Sequence, residues 1–112
     1  MTSGEHQPGP DGTVPIRVAV PQHLRTLADV SGHVVVAVPT PVTVAAVVDA
    51  LESAHPALAG TIRDRDTGRR RAMIRVYADG EDYSDTWTGA TLPDAVVDGR
   101  EPLRLVGAIA GG

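Results

Sequence analysis

PTPVTVAAVVDALESAHP, residues 39–56, is the clearest element in the chain, and its period is helical. Val44, Val47, Val48 and Leu51 recur at i, i+3, i+4 and i+7, a single apolar stripe, with Asp49 and Glu52 off it. Thr43 offers an N-cap oxygen. Pro56 stops the helix near Ala54 or His55. A helix with one apolar stripe must bury that stripe, and the segments around it alternate with the period of strands. An α+β architecture follows, with one main helix packed on a sheet.

The strands are read from alternation. PIRVAV turns Ile16, Val18 and Val20 to one face and Arg17 and Ala19 to the other. PQHLRTLADVSG is a connection with turn chemistry at residues 29–32, and HVVVAV is a β-branched second strand, the hairpin partner of the first. Leu58 and Ile62 pack under the sheet, and RDRDTGRRR is a charged loop. AMIRVYA sends Ile74 and Val76 inward and Arg75 and Tyr77 outward. Asp79-Gly80 is a hairpin turn leading to a short edge strand. The stretch 88–101 is irregular, with Leu92 buried, and PLRLV is a last strand with Leu103 and Leu105 inward. Residues 1–14 are polar and rich in Gly and Pro, so they read as a disordered tail. Residues 15–112 form the domain, and 107–112 a flexible end.

Composition closes off several kinds of function. The 112 residues suffice for one domain with a modest core. With no cysteine there is no disulfide, thiolate metal site, iron–sulfur cluster or thiol nucleophile. No apolar run approaches a membrane span and the N-terminus lacks a secretory pattern, so the expectation is a cytoplasmic protein with no membrane partner. The net charge of −4 and the scarcity of aromatic residues speak against nucleic acid as a partner. All ten basic residues are arginine; the chain has no side-chain amine for an isopeptide bond or Schiff base.

The side chains do not advertise catalysis. Asp29, Ser31 and His33 sit in one tight turn, whereas hydrolase triads are assembled across a fold. DRDTG begins like a calcium loop at Asp64 and Asp66 but carries Arg69 at the sixth position and Arg75 at the twelfth. His6, His23, His33 and His55 show no metal-ligand spacing. The run Arg69–Arg71 is a solvated loop. The expectation is therefore no catalytic residue, no metal and no bound cofactor.

Attention passes to VGAIAGG, the last seven residues. Two successive glycines in the last two positions arise by chance in about one chain in two hundred. Glycine lacks a Cβ, so Gly111 and Gly112 end the chain without side chains. Ala108 and Ala110 are small, and Ile109 is the one large side chain among the last five residues.

From Val14 onward the chain resembles the β-grasp sulfur carriers, among them the small subunit of molybdopterin synthase, the thiamine sulfur carrier and, most similar, the actinobacterial cysteine-biosynthesis carriers. The resemblance rests on IRVAVPQHLR, TVAAVVDALESAHPAL, IRVYADGED and DAVVDGREPLRLVGAIAGG. The chain departs in having Tyr77-Ala78-Asp79-Gly80 before the fourth strand, Gly107 and Ala108 where a tail proline is usual, and no aromatic residue in the first hairpin.

The resemblance implies a ubiquitin-like mixed sheet of four to five strands on one main helix. It implies that an adenylating enzyme of the ubiquitin-activating type spends ATP to adenylate Gly112, and that sulfur then displaces AMP to leave a thiocarboxylate. Ala108, Ile109, Ala110 and Gly111 would lie in that enzyme's channel. The acceptor would be a pyridoxal-phosphate-dependent cysteine synthase or the large subunit of molybdopterin synthase. A ubiquitin-like modifier or interaction module is the alternative. In a β-grasp sheet the last strand lies between the first and third, so Arg17, Arg75 and Arg104 are expected to form a cationic docking stripe on the face away from the helix.

Overall fold

The computed structural model describes residues 12–107. Alternation and strand pairing agree throughout. Strand β1 (Thr13–Ala19) pairs antiparallel with β2 (Val34–Pro39), with Ile16 opposite Val36. Strand β3 (Ile74–Ala78) turns through Asp79-Gly80 into the two-residue β4 (Glu81–Asp82). Asp79 and Gly80 have φ of 48° and 82°, the doubly left-handed turn that the Asp-Gly pair predicts. The last strand, β5 (Leu103–Gly107), enters the middle: it runs parallel to β1 and antiparallel to β3. The sheet order is β2-β1-β5-β3-β4.

One face of this sheet is the core. Ile16, Val18, Val36, Val38, Val76, Leu103 and Leu105 are buried there. Of the three α-helices among the described residues, α1 (Gln22–Ala28), α2 (Val44–Ala54) and α3 (Asp94–Val97), the second is the long one. It begins as expected, with the Ala46 N–H donating to Thr43 Oγ1 at 3.2 Å. Its stripe of Val44, Val47, Val48 and Leu51 is fully buried. Each such side chain contributes about 1.5–3 kcal/mol of burial free energy. Leu58, Ile62 and Leu92 complete the core as predicted. The result is the five-stranded β-grasp arrangement.

Three boundaries differ from the sequence reading. The N-terminal strand starts at Thr13, because Thr13 and Val14 pair with Pro39 and Val38; the expected tail of 1–14 is too long by two strand residues. Gly107, assigned to the flexible end, is the last residue of β5, opposite Ile74. Residues 22–28, read as a turn-bearing connection, form α1, which buries Leu24 and ends on Asp29 in the left-handed region at φ 58°. With one apolar anchor in seven residues, α1 has too short a stripe for periodicity to reveal. Residues 1–11 and 108–112 lie outside the described residues, among them the site residues Ala108, Ile109, Ala110, Gly111 and Gly112.

Candidate functional site

The predicted working end begins where β5 stops. Because β1 and β5 are parallel, with Ala19 opposite Arg104, the chain leaves β1 beside the second residue of β5 and runs on toward its C-terminal end. It then turns at Pro21 into α1. The carbonyl of Pro21 accepts from the Leu24 and Arg25 N–H groups, both at 2.9 Å. The Arg25 guanidinium donates to the Val20 carbonyl at 2.6 Å. Leu24 is anchored in the core. This fixed first turn carries His23 to Gly107. On the other side of Gly107 stands Ile74 of β3. Residues 108–112 follow, a length that spans at most about 18 Å when fully extended.

The sheet face away from α2 carries the three predicted arginines. Arg104 lies opposite Tyr77 on β3 and Ala19 on β1, and Arg75 opposite Val106. Ladder partners share a face, so Arg17, Arg75 and Arg104 do too. Their electrostatic states differ. Arg17 donates to the Gly99 carbonyl at 2.9 Å and contacts His33 Nδ1 at 3.3 Å. Arg75 is paired with Asp82, which with Tyr77 raises the guanidinium's pKa further. Arg104 has no ion pair among the described residues and is exposed. Among the described residues the stripe is therefore graded: Arg104, without an ion pair there, is flanked by two engaged arginines. Val106 and Met73, 44% and 42% exposed, add apolar surface near the end of β5.

The sequence reading missed the structural part of the arginine run. Arg70 donates to the Ser84 carbonyl at 2.9 Å and the Ile74 carbonyl at 2.8 Å, and pairs with Asp85 at 3.0 Å. It ties the loop after α2 to the segment beyond β4. Arg63 does the same toward α2, through Glu52 at 2.9 Å and Asp49. Partial burial works against the Arg63 charge, but the hydrogen bonds it donates to Glu52 and Asp49 outweigh it and raise its pKa. Nothing in the run RDRDTGRRR marks these two arginines apart from their neighbours; only their partners do.

The rejected calcium loop is also explained. The Asp64 carboxylate accepts from the backbone N–H groups of Asp66 and Thr67, at 2.8 and 2.9 Å. Those bonds, with Arg71 nearby, hold its pKa below the usual value. No group of three or more metal-ligating side chains occurs among the described residues, and no helix there is long and apolar enough to cross a membrane. A groove of about 580 Å³ lies between β2 and α2, lined by Val35, Ala37, Ala46, Asp49, Ala50 and Ser53. Asp49 is its one ionisable wall residue, and it already pairs with Arg63.

No protein-family model matches the chain, and no curated protein does. Solved structures do. SAMP1 from Haloferax volcanii is 26% identical, with a TM-score of 0.68 over 88% of this chain and 99% of its own. A chain of the Amycolatopsis orientalis BexX/CysO complex is 25% identical, with a TM-score of 0.65 over 86% of this chain and 98% of its own. The Haloferax volcanii HVO 2177 protein, at 19% identity and a TM-score of 0.66 over 100% of this chain, shares the fold.

Proposed function

We propose, from a ubiquitin-like β-grasp fold of the carrier and modifier kind, that this chain is a sulfur carrier whose reactive group is the carboxylate of Gly112. The observation that carries the reading is the likeness to the BexX/CysO complex at 25% identity over nearly the whole of both chains. The Gly111-Gly112 pair, which follows the central strand β5, supports it.

The chemistry explains the requirement for a partner. A terminal carboxylate has a pKa of about 3.5, so at neutral pH it is ionised and a poor electrophile. A partner enzyme must activate it. A carboxylate oxygen attacks the α-phosphorus of ATP, pyrophosphate departs, and an acyl-adenylate forms. Hydrosulfide attacks the acyl carbon, AMP departs, and the product is a thiocarboxylate that can donate sulfur. In this scheme the chain is a protein co-substrate and not a catalyst. Cysteine-synthase-type delivery is the favoured destination. Service to the large subunit of molybdopterin synthase is the second. The three-arginine face, on which Arg104 has no ion pair among the described residues, serves as the docking surface for an acidic patch on the activating enzyme.

The likeness to small archaeal modifier protein 1, at 26% identity, supports a second reading: conjugation to other proteins through the same carboxylate. Intact mass after incubation with an adenylating enzyme, ATP and a sulfide source separates the two. The carrier reading expects a gain equal to the difference between one sulfur and one oxygen atom. A covalent adduct with another protein supports the modifier instead. Deleting Gly112 or making Gly111→Val should abolish the mass gain and leave thermal unfolding unchanged, since both lie beyond the last strand. A mass gain that survives Gly112 deletion would overturn the assignment.

A further inference from the structure

We propose that His23 is a positioning residue for the reactive end: its imidazole, packed on Gly107, sets the direction in which the chain leaves β5, and glycine there lets the ring lie against the strand backbone. The proposal rests on the reading of Gly112 as the activated terminus. A Cβ built on Gly107 would stand 2.6 Å from His23 Cε1, 3.4 Å from His23 Nε2 and 3.4 Å from Pro21 Cβ. A separation of 2.6 Å is well inside van der Waals contact, so any other residue must displace the ring. Backbone conformation does not account for the glycine. Gly12, Gly32, Gly60, Gly68, Gly80 and Gly99 all have φ between 68° and 88°, whereas Gly107 lies outside the left-handed range and continues an ordinary strand. Glycine weakens a strand unless something needs to approach its backbone closely. Here that neighbour is His23.

The approach is built into the fold. Parallel pairing of β1 with β5 brings Pro21 alongside the end of β5, and the hydrogen bonds of Pro21 and Arg25 fix the first turn of α1. The ring therefore reaches Gly107 from a platform anchored by Leu24 in the core. A tilt at residue 107 is magnified along the residues that follow. A base held in one direction delivers Gly112 to a nucleotide site with fewer wasted orientations, because positioning of a reactant is itself part of the rate.

The test is a double-mutant cycle with Gly107→Ala, His23→Ala and the double variant, together with His23→Phe, which keeps a flat ring over Gly107. Two measurements are made on each: the amide chemical shifts of residues 108–112, and KM and kcat for adenylation. Gly107→Ala should raise KM about tenfold with kcat within about twofold, the pattern of lost productive binding and intact chemistry. Adding His23→Ala should bring KM back to within about twofold of the His23→Ala single variant, a non-additivity that only contacting residues show. His23→Phe should match the wild type in KM. Additive effects, or amide shifts and KM unmoved by His23→Ala, would overturn the proposal. If Gly107→Ala does not fold, His23→Ala against His23→Phe still decides it. If the wild-type chain is never adenylated, the proposed function fails, while the amide shifts still report whether His23 directs the end of β5.

Discussion

The guanidinium of Arg75 rests on the carboxylate of Asp82, joining β3 to the short edge strand β4. Asp82 is held from a second side: its Oδ1 accepts the Ser84 N–H at 2.8 Å, and the Ser84 hydroxyl bonds to it as well. Ser84 Oγ also accepts the Val76 N–H at 2.9 Å, so the buried Ser84 links Asp82 to β3. The Ser84 contacts first, then Arg75, lower the Asp82 pKa from 3.8 to about 2.

A depressed carboxylate pKa stabilises the fold above the unfolded-state value, and that contribution is lost as pH falls through the folded one. The window for Asp82 runs from 3.8 down to about 2. Asp82→Asn should therefore reduce the fall in urea midpoint across that range, leaving a residual slope from Asp64, whose pKa is also lowered. A variant whose midpoint falls as steeply as the wild type over the same range would show that Asp82 gains nothing from Ser84 and Arg75.

Leu51 is fully buried at the end of the α2 stripe. Leu51→Ala should cost about 2–5 kcal/mol in urea unfolding, from lost burial plus the cavity left behind. Glu52→Ala, one residue on, opens no core cavity and should cost less. Equal losses would mean that the helix is not held through its stripe.

Truncation tests where β1 starts. Removing residues 1–11 leaves the β1–β2 ladder whole, and no loss of stability is expected. Removing 1–14 strips Thr13 and Val14 from Pro39 and Val38, and Val14 packs against the core. The apolar area of Val14 alone predicts a loss of about 1 kcal/mol. Identical unfolding midpoints for the two truncations would return the start of the domain to residue 15.

Replacing Arg17, Arg75 and Arg104 together with Gln should slow association with the activating enzyme and flatten its dependence on ionic strength, because rim charges act chiefly on encounter. Arg104→Gln and Arg17→Gln should each reproduce part of the effect and Arg75→Gln the least, since Asp82 already offsets the Arg75 charge whereas the Gly99 carbonyl leaves that of Arg17 in place. Stopped-flow association at low and high salt measures both. Rates at low salt that match the wild type would leave the arginines as solvated side chains.

Local pattern was enough for the parts of this protein that local physics controls. Period two assigned Ile16, Val18, Ile74, Val76, Leu103 and Leu105 to the core face, and all are buried. Period 3.6 with Thr43 and Pro56 placed α2, because a cap and a breaker act within one turn of themselves. Asp79-Gly80 turned as its backbone preferences require. The side of the sheet that each arginine occupies was legible for the same reason, since it is the complement of the apolar alternation.

Partnership belonged to tertiary structure. That Arg75 meets Asp82, that Arg70 reaches Ser84 and Ile74 while Arg71 turns to Gly60, and that Arg104 has no ion pair among the described residues depend on which segments become adjacent. Sequence spacing carries no such information. The first turn of α1 forms where the sequence showed only a connection, because one buried leucine and two bonds to the Pro21 carbonyl suffice beside a finished core. Gly107 is the sharpest case. In the sequence it is one more flexible glycine before the end; in the fold it is a strand residue where a Cβ would meet the His23 ring, because parallel pairing of β1 and β5 brings His23 against it. Residue type and period act within a few bonds, whereas a close approach across 84 residues of chain is set only when the sheet closes.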